Sequence, residues 1–257
     1  MSAPEPSSLP DELERLLRRL RLPYVRHHAP EIVHTARAQR WDPAELLRVL
    51  FSEEEKGRDR ATRELRRRQA AFPKGKTLDS FDEGASSITA QVQASLSTLE
   101  WIDRAENLVV AGPSGTGKSH FVEGLSHLAI ERGKRVVWFT LESLAREIAK
   151  SRVDGSTAKT ISRIVRADLI AIDDIGMLPV GSEEAEAFYR LVDAAYERRS
   201  LAVTSNFHPA GFDKLMPKTL ATAAVDRLLH HAHVVITDGG SHRLAEATAG
   251  TGVVPLT

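Results

Sequence analysis

Gly112-Pro113-Ser114-Gly115-Thr116-Gly117-Lys118-Ser119 fits the pattern G-x-x-x-x-G-K-[ST]. Such a turn works only with a strand before it and a helix after it, and both are present: Leu108-Val109-Val110 precedes the turn and helical spacing starts at Lys118. The glycines let backbone N–H groups close around phosphate oxygens, Lys118 brings a cation to the β and γ phosphates, and the Ser119 hydroxyl suits magnesium. An ordinary glycine-rich turn would not require Lys118 and Ser119 side by side. The expected nucleotide contacts run through Gly112, Pro113, Ser114, Gly115, Thr116, Gly117, Lys118, Ser119 and His120, with ATP and Mg2+ as ligands.

Outward from this turn, short apolar runs recur at Val136-Val137-Trp138-Phe139, Leu169-Ile170-Ala171-Ile172, Leu201-Ala202-Val203 and Val234-Val235-Ile236. Helical segments are expected near 118–132, 141–152, 183–198 and 219–231, and Gly133 suits a helix stop. The alternation predicts an α/β fold, a parallel five-stranded sheet between helices. Leu169 to Asp174 is an apolar strand ending in two acids, so Asp173 is expected to hold magnesium and Asp174 to act as general base on the attacking water. Thr204-Ser205-Asn206 ends the next strand and puts an amide at the carboxyl edge of the sheet, where open α/β folds bind ligands. Asn206 is expected to orient the lytic water.

Before the sheet the chain reads as all-helical over residues 1 to about 70. Ser8, Pro10 and Asp11 start a helix carrying Leu13, Leu16, Leu17 and Leu20; Asp42, Pro43 and Glu45 start another with Leu46, Leu47, Leu50 and Phe51. Arg58, Arg60, Arg63, Arg66, Arg67 and Arg68 then form a basic strip, read either as a solvated helix face or as a phosphate-neutralising surface for DNA. Phe72-Pro73-Lys74-Gly75 breaks the helix. The expected divisions are a helical domain over 1–72, a linker and helix over 73–106, the ATPase core over 107–244, and a partly disordered tail over 245–257.

A hydrophobic share of 42% in 257 residues argues for a folded chain. The net charge of zero gives no whole-chain case for nucleic acid, and the absence of cysteine excludes disulfides and thiolate metal sites. Met1 to Pro10 lacks a signal-peptide core and no stretch approaches the roughly 18 apolar residues of a membrane span, so a cytoplasmic location is expected.

Taken together, Gly112 to Ser119, Ile172-Asp173-Asp174-Ile175-Gly176-Met177-Leu178-Pro179, Thr204-Ser205-Asn206 and Val225-Asp226-Arg227-Leu228-Leu229-His230-His231-Ala232-His233-Val234 resemble the IstB-type transposition helper ATPases, AAA+ proteins akin to DnaC-type helicase loaders. The resemblance extends to about Leu244. It implies an N-terminal helical domain on an AAA+ core, ATP-dependent self-association on double-stranded DNA, and stimulation of a cognate transposase. It also implies that Asn206 is the sensor-1 residue and that Arg227 is an arginine finger completing a neighbouring subunit's site. Arg243 corresponds to a second phosphate-sensing arginine, although His242 stands where the family often has an aromatic residue. At position 174 the family's usual residue is Glu, and the shorter aspartate reaches less far toward the γ-phosphate.

His230, His231 and His233 read as packing and surface residues, since neither cysteine nor a carboxylate at ligand spacing accompanies them. Two other functions compete: a replicative helicase loader using the same ATP switch, and a small-molecule P-loop kinase. The kinase reading lacks an arginine-rich lid between Met177 and Asn206, where only Arg190, Arg198 and Arg199 occur.

Overall fold

The computed structural model describes residues 8–73, 75–82, 84, 86–176, 181–214 and 216–240. The chain forms two compact units, residues 1–65 and 66–257. The first holds α1 (Asp11–Arg19), α2 (Pro23–Gln39) and most of α3 (Pro43–Ala70). Asp42 starts α3 as its sequence suggests, accepting the Ala44 N–H at 2.8 Å. The start of α2 has no cap of its own. Pro23 carries no N–H there, and the next two donors, Tyr24 and Val25, reach Oε2 of Glu54 on α3 at 2.9 and 3.0 Å. Burial alone would raise the Glu54 carboxyl, but the Arg58 guanidinium at 2.7 Å and these two N–H groups hold it below the usual carboxylate range.

The core of this unit is small. Leu17, Val25 and Ala29 are buried, with Leu9, Leu22 and Leu50 against them. Leu13, Leu16, Leu20, Leu47 and Phe51 are exposed, so much of the apolar faces read from the sequence stays open to solvent.

The second unit is built on β1 (Asn107–Ala111), β2 (Val136–Thr140), β3 (Leu169–Ile175), β4 (Ser200–Ser205) and β5 (Ala232–Ile236), all parallel in the order β2-β3-β4-β1-β5. Alternate residues serve opposite faces, because successive side chains on a strand point to opposite sides. Leu108, Val110, Leu169, Ala171 and Ala202 join α4 (Ala90–Ser97), α5 (Glu100–Asp103) and α6 (Lys118–Glu131) through Leu96, Trp101, Phe121, Leu125 and Ile130. Val109, Ile170, Ile172, Leu201 and Val203 face α7 (Leu141–Val153), α8 (Thr157–Ile164), α9 (Ser182–Ala195) and α10 (Lys218–Leu229). Each fully buried Leu or Phe of these layers contributes about 1.5–3 kcal/mol.

The segment 73–106, expected as a linker and helix, contributes Phe81, Ile88, Leu96, Leu99, Trp101 and Ile102 to the core of the second unit. Gly124 in α6 lets that segment close in, because a β-carbon there would lie 2.9 Å from the Leu78 backbone nitrogen. Within the basic strip, Arg66 donates to the Gly133 carbonyl and Arg67 pairs with Glu131, so both tie the end of α3 to the end of α6. Met177-Leu178-Pro179, His242, Arg243 and the tail 245–257 lie outside the described residues.

Candidate functional site

Strand order brings the site together. β4 lies between β1 and β3, so the turn after β1, the two acids ending β3 and Asn206 after β4 emerge side by side at the carboxyl edge. Ser114, Gly115, Thr116, Gly117, Lys118, Ser119, His120, Asp174 and Asn206 line one cleft of about 180 Å³. Lys118 is buried, and its ammonium donates to the Pro113 carbonyl at 2.6 Å and to Asn206 Oδ1 at 3.0 Å. The cation and the expected sensor amide are therefore in direct contact.

The loop backbone is held for its task. Gly115 and Gly117 have φ of 87° and 86°, the left-handed region, as the chain curls into α6. Gly112 is fixed by a close approach: at φ 149° its β-carbon would lie 2.1 Å from the Thr237 carbonyl oxygen. Thr237, just past β5, donates its N–H to the Ala111 carbonyl at 2.7 Å, and its hydroxyl is 2.7 Å from that of Thr116. Thr116 also donates to the Pro113 carbonyl, so β5 braces the loop through one buried threonine.

The acids sit on a bulge. Ile172 pairs with Val203 and Ile175 with Ser205, so Asp173 and Asp174 together oppose Thr204. Thr204 Oγ1 donates to Asp173 Oδ1 and accepts the Asp174 N–H at 2.9 Å. Asp174 itself has φ 62°. One buried hydroxyl thus fixes the carboxylate of the first acid and the backbone of the second. The donor set fits the expected ligands: Ser119 and Asp173 offer the hydroxyl and carboxylate oxygens that a hard cation such as Mg2+ takes, beside loop N–H groups and a lysine suited to phosphate. Among the described residues, the cleft lining includes Asp174 but neither Asp173 nor Arg227.

Arg227 lies on α10, where its Nε is 3.0 Å from Asp193 Oδ1 on α9 and its guanidinium lies over the Tyr189 ring. Of the arginines weighed for a kinase lid, Arg190 pairs with Glu186 and Arg199 donates to the Val165 carbonyl. His233 is 2.8 Å from Glu106, whose carboxyl Arg104 and then His233 hold below its usual range.

Sequence reasoning missed Thr204 and Thr237 as positioning groups, and it missed the second wall of the cleft. Lys76, Ser80, Phe81, Asp82 and Ser86 line that wall; His120 Nε2 meets the Thr77 carbonyl and Ser80 Oγ, both at 3.0 Å, with Phe81 edge-on to its ring. Thr204 was visible in the motif ahead of Asn206, whereas residues 76–86 carry no pattern that distinguishes a binding wall from a connector.

A sequence model of the family described as IstB-like ATP binding protein matches residues 15–249. A protein of Pseudomonas aeruginosa, named for insertion sequence IS21 and for ATP binding, is 33% identical over 237 residues, covering 91% of this chain and 89% of its own. An IS21-like counterpart from Bacteroides fragilis is 32% identical over 235 residues, with the same coverages of 91% and 89%. The solved DnaC helicase loader superposes with a TM-score of 0.50 over 63% of this chain and 97% of its own, at 15% identity. That likeness shows the fold: the second unit is an AAA+ P-loop fold.

Proposed function

The chain belongs to the IstB-like ATP binding protein family, and from that premise we propose that it is an ATP-hydrolysing helper of an insertion-sequence transposase, assembling on double-stranded target DNA. The observation that carries the reading is the convergence of Lys118, Ser119, Asp174 and Asn206 on one cleft, with Asp173 on the same bulge as Asp174.

In this reading the loop N–H groups and Lys118 hold the β and γ phosphates. Ser119 and Asp173 would hold Mg2+, which would supply positive charge to offset that of the phosphates. Asp174 takes the proton of the attacking water, and Asn206 orients that water while keeping Lys118 aimed into the cleft. The wall formed by Lys76, Ser80, Phe81 and Asp82 receives the base and ribose end of the nucleotide. Arg227, outside its own cleft's lining, acts on a neighbouring subunit, where a guanidinium can contact two phosphate oxygens at once. The exposed leucines of the N-terminal unit and the arginines earlier in the strip serve the transposase and the duplex.

Sedimentation with a random-sequence duplex, in ATP, ADP and no nucleotide, tests this. Large assemblies on duplex formed with ATP alone support it; a protein that remains a monomer and ignores duplex in all three states overturns the DNA-remodelling role. Charge reversal for a DNA test belongs at Arg60 rather than at Arg66 or Arg67, whose loss would also release the end of α6.

A further inference from the structure

At the far end of the α9–α10 pair from their N-termini lies a group of side chains that the nucleotide chemistry does not use. Helix α9 ends at Ala195 and is followed by Tyr196 and Glu197; α10 ends at Leu229 and is followed by His230 and His231. One carboxylate oxygen of Glu197 is 3.9 Å from Nδ1 of His230 and 3.9 Å from Nε2 of His231, and the imidazole rings are 4.0 Å apart between centroids. One donor atom from each of the three residues lies within 4.8 Å of the others. A separation of 3.9 Å is too long for a hydrogen bond, so neither imidazole closes on the carboxylate directly. The three donors are gathered there without a direct bond between carboxylate and imidazole, and the Tyr196 hydroxyl lies among them.

The spacing and chemistry of the three donors suit a metal ion. An ion holding nitrogen and oxygen ligands at about 2.0–2.1 Å in tetrahedral geometry needs them roughly 3.4 Å apart, so each imidazole must close on the carboxylate by about half an ångström, and no pair, at 4.8 Å or less, by more than about 1.4 Å. All three side chains are more than half exposed and have the rotamer freedom to do so. Two imidazoles and one carboxylate are a zinc-class donor set, whereas Mg2+ and Ca2+ prefer oxygen throughout. The Tyr196 hydroxyl, 2.8 Å from His230 Nδ1, is the group an ion would displace from that nitrogen. The sequence hides the site because its carboxylate comes from the turn after a different helix, far upstream of the histidine pair.

We propose that Glu197, His230 and His231 bind a divalent transition-metal ion of the zinc class, fastening the C-terminal ends of α9 and α10 together. The same two helices carry the Asp193–Arg227 ion pair about one turn earlier, so an ion bound here restrains the seam on which Arg227 stands.

The test is calorimetric titration of the untagged, chelator-treated full chain with Zn2+, without nucleotide. The wild type is expected to bind one equivalent that is lost in His230→Gln/His231→Gln and weakened at least about tenfold, or about 1.4 kcal/mol, in Glu197→Gln. His27→Gln/His28→Gln, which removes the other adjacent histidine pair, is expected to bind as the wild type does. Zn2+ should raise the melting temperature of the wild type but not of the His230/His231 variant, and far-ultraviolet circular dichroism establishes that each variant is folded. No uptake by the wild type, an undiminished equivalent in the His230/His231 variant, or unchanged affinity in Glu197→Gln would each overturn the site. So would loss of the equivalent in the His27/His28 variant.

Discussion

Thr204→Val removes one hydroxyl from the sheet while keeping the shape of the side chain, and the cost can be worked out from its contacts. Thr204 is buried, donates to Asp173 and accepts the Asp174 N–H. Losing a hydrogen bond to a charged group costs about 1.5–3 kcal/mol, and leaving a partly buried N–H without its acceptor adds about 1 kcal/mol. The total is about 3 kcal/mol. For a unit of this size each kcal/mol shifts the melting temperature by about 2–4 °C, so a fall of roughly 6–12 °C is expected. Thr204→Ser keeps the hydroxyl and should recover most of the loss. Thermal unfolding without nucleotide reads the stability, and phosphate release at saturating ATP and Mg2+ reads the chemistry. Turnover should fall in the valine variant even well below its melting temperature, because both acids lose their anchor. Valine melting with the wild type, or serine as damaged as valine, would refute the role given to this hydroxyl.

Gly112→Ala should abolish ATP binding in a nucleotide titration, because its methyl group would meet the Thr237 carbonyl at 2.1 Å and force apart β5 and the loop. Glu54→Ala should destabilise the N-terminal unit by about 3 kcal/mol, read as faster hydrogen exchange across α2, since two N–H groups and Arg58 lose their acceptor. Because the folded Glu54 carboxyl lies below its ordinary range, its stabilising contribution is complete at neutral pH and is lost as pH falls below that range, through the lowered folded value. The exchange difference between wild type and variant should narrow in acid. Arg227→Ala should lower the turnover of the assembled protein, and mixing it with a Lys118→Ala protein should restore part of it; no restoration at any ratio would count against action between subunits.

Much of this molecule can be read from its sequence, for reasons visible in particular residues. The five strands are short apolar runs, and where a strand is buried on both faces, as at Val109 and Val110, no polar alternation is needed for it to be recognised. The loop, the paired acids and Asn206 were legible because phosphate and metal chemistry restrict both residue type and position in the chain. What escaped was supplied by partners distant in sequence. Helix α2 has only Pro23 to mark its start, with no capping side chain beside it, because its cap, Glu54, comes from another helix. The wall at Lys76 to Ser86 looked like a connector because its contacts with α6 depend on the small size of Gly124. Thr237 is one threonine after a strand, and only the closeness of β5 to β1 gives it a task.

A calorimetric titration of ATP with Mg2+ into the full chain and into Lys118→Ala tests most directly whether the cleft is a nucleotide site. One nucleotide per chain is expected for the wild type and no measurable binding for the variant, because Lys118 is the buried cation at the phosphate-binding loop. Equal affinity in the two proteins, or no binding by the wild type, would contradict that assignment.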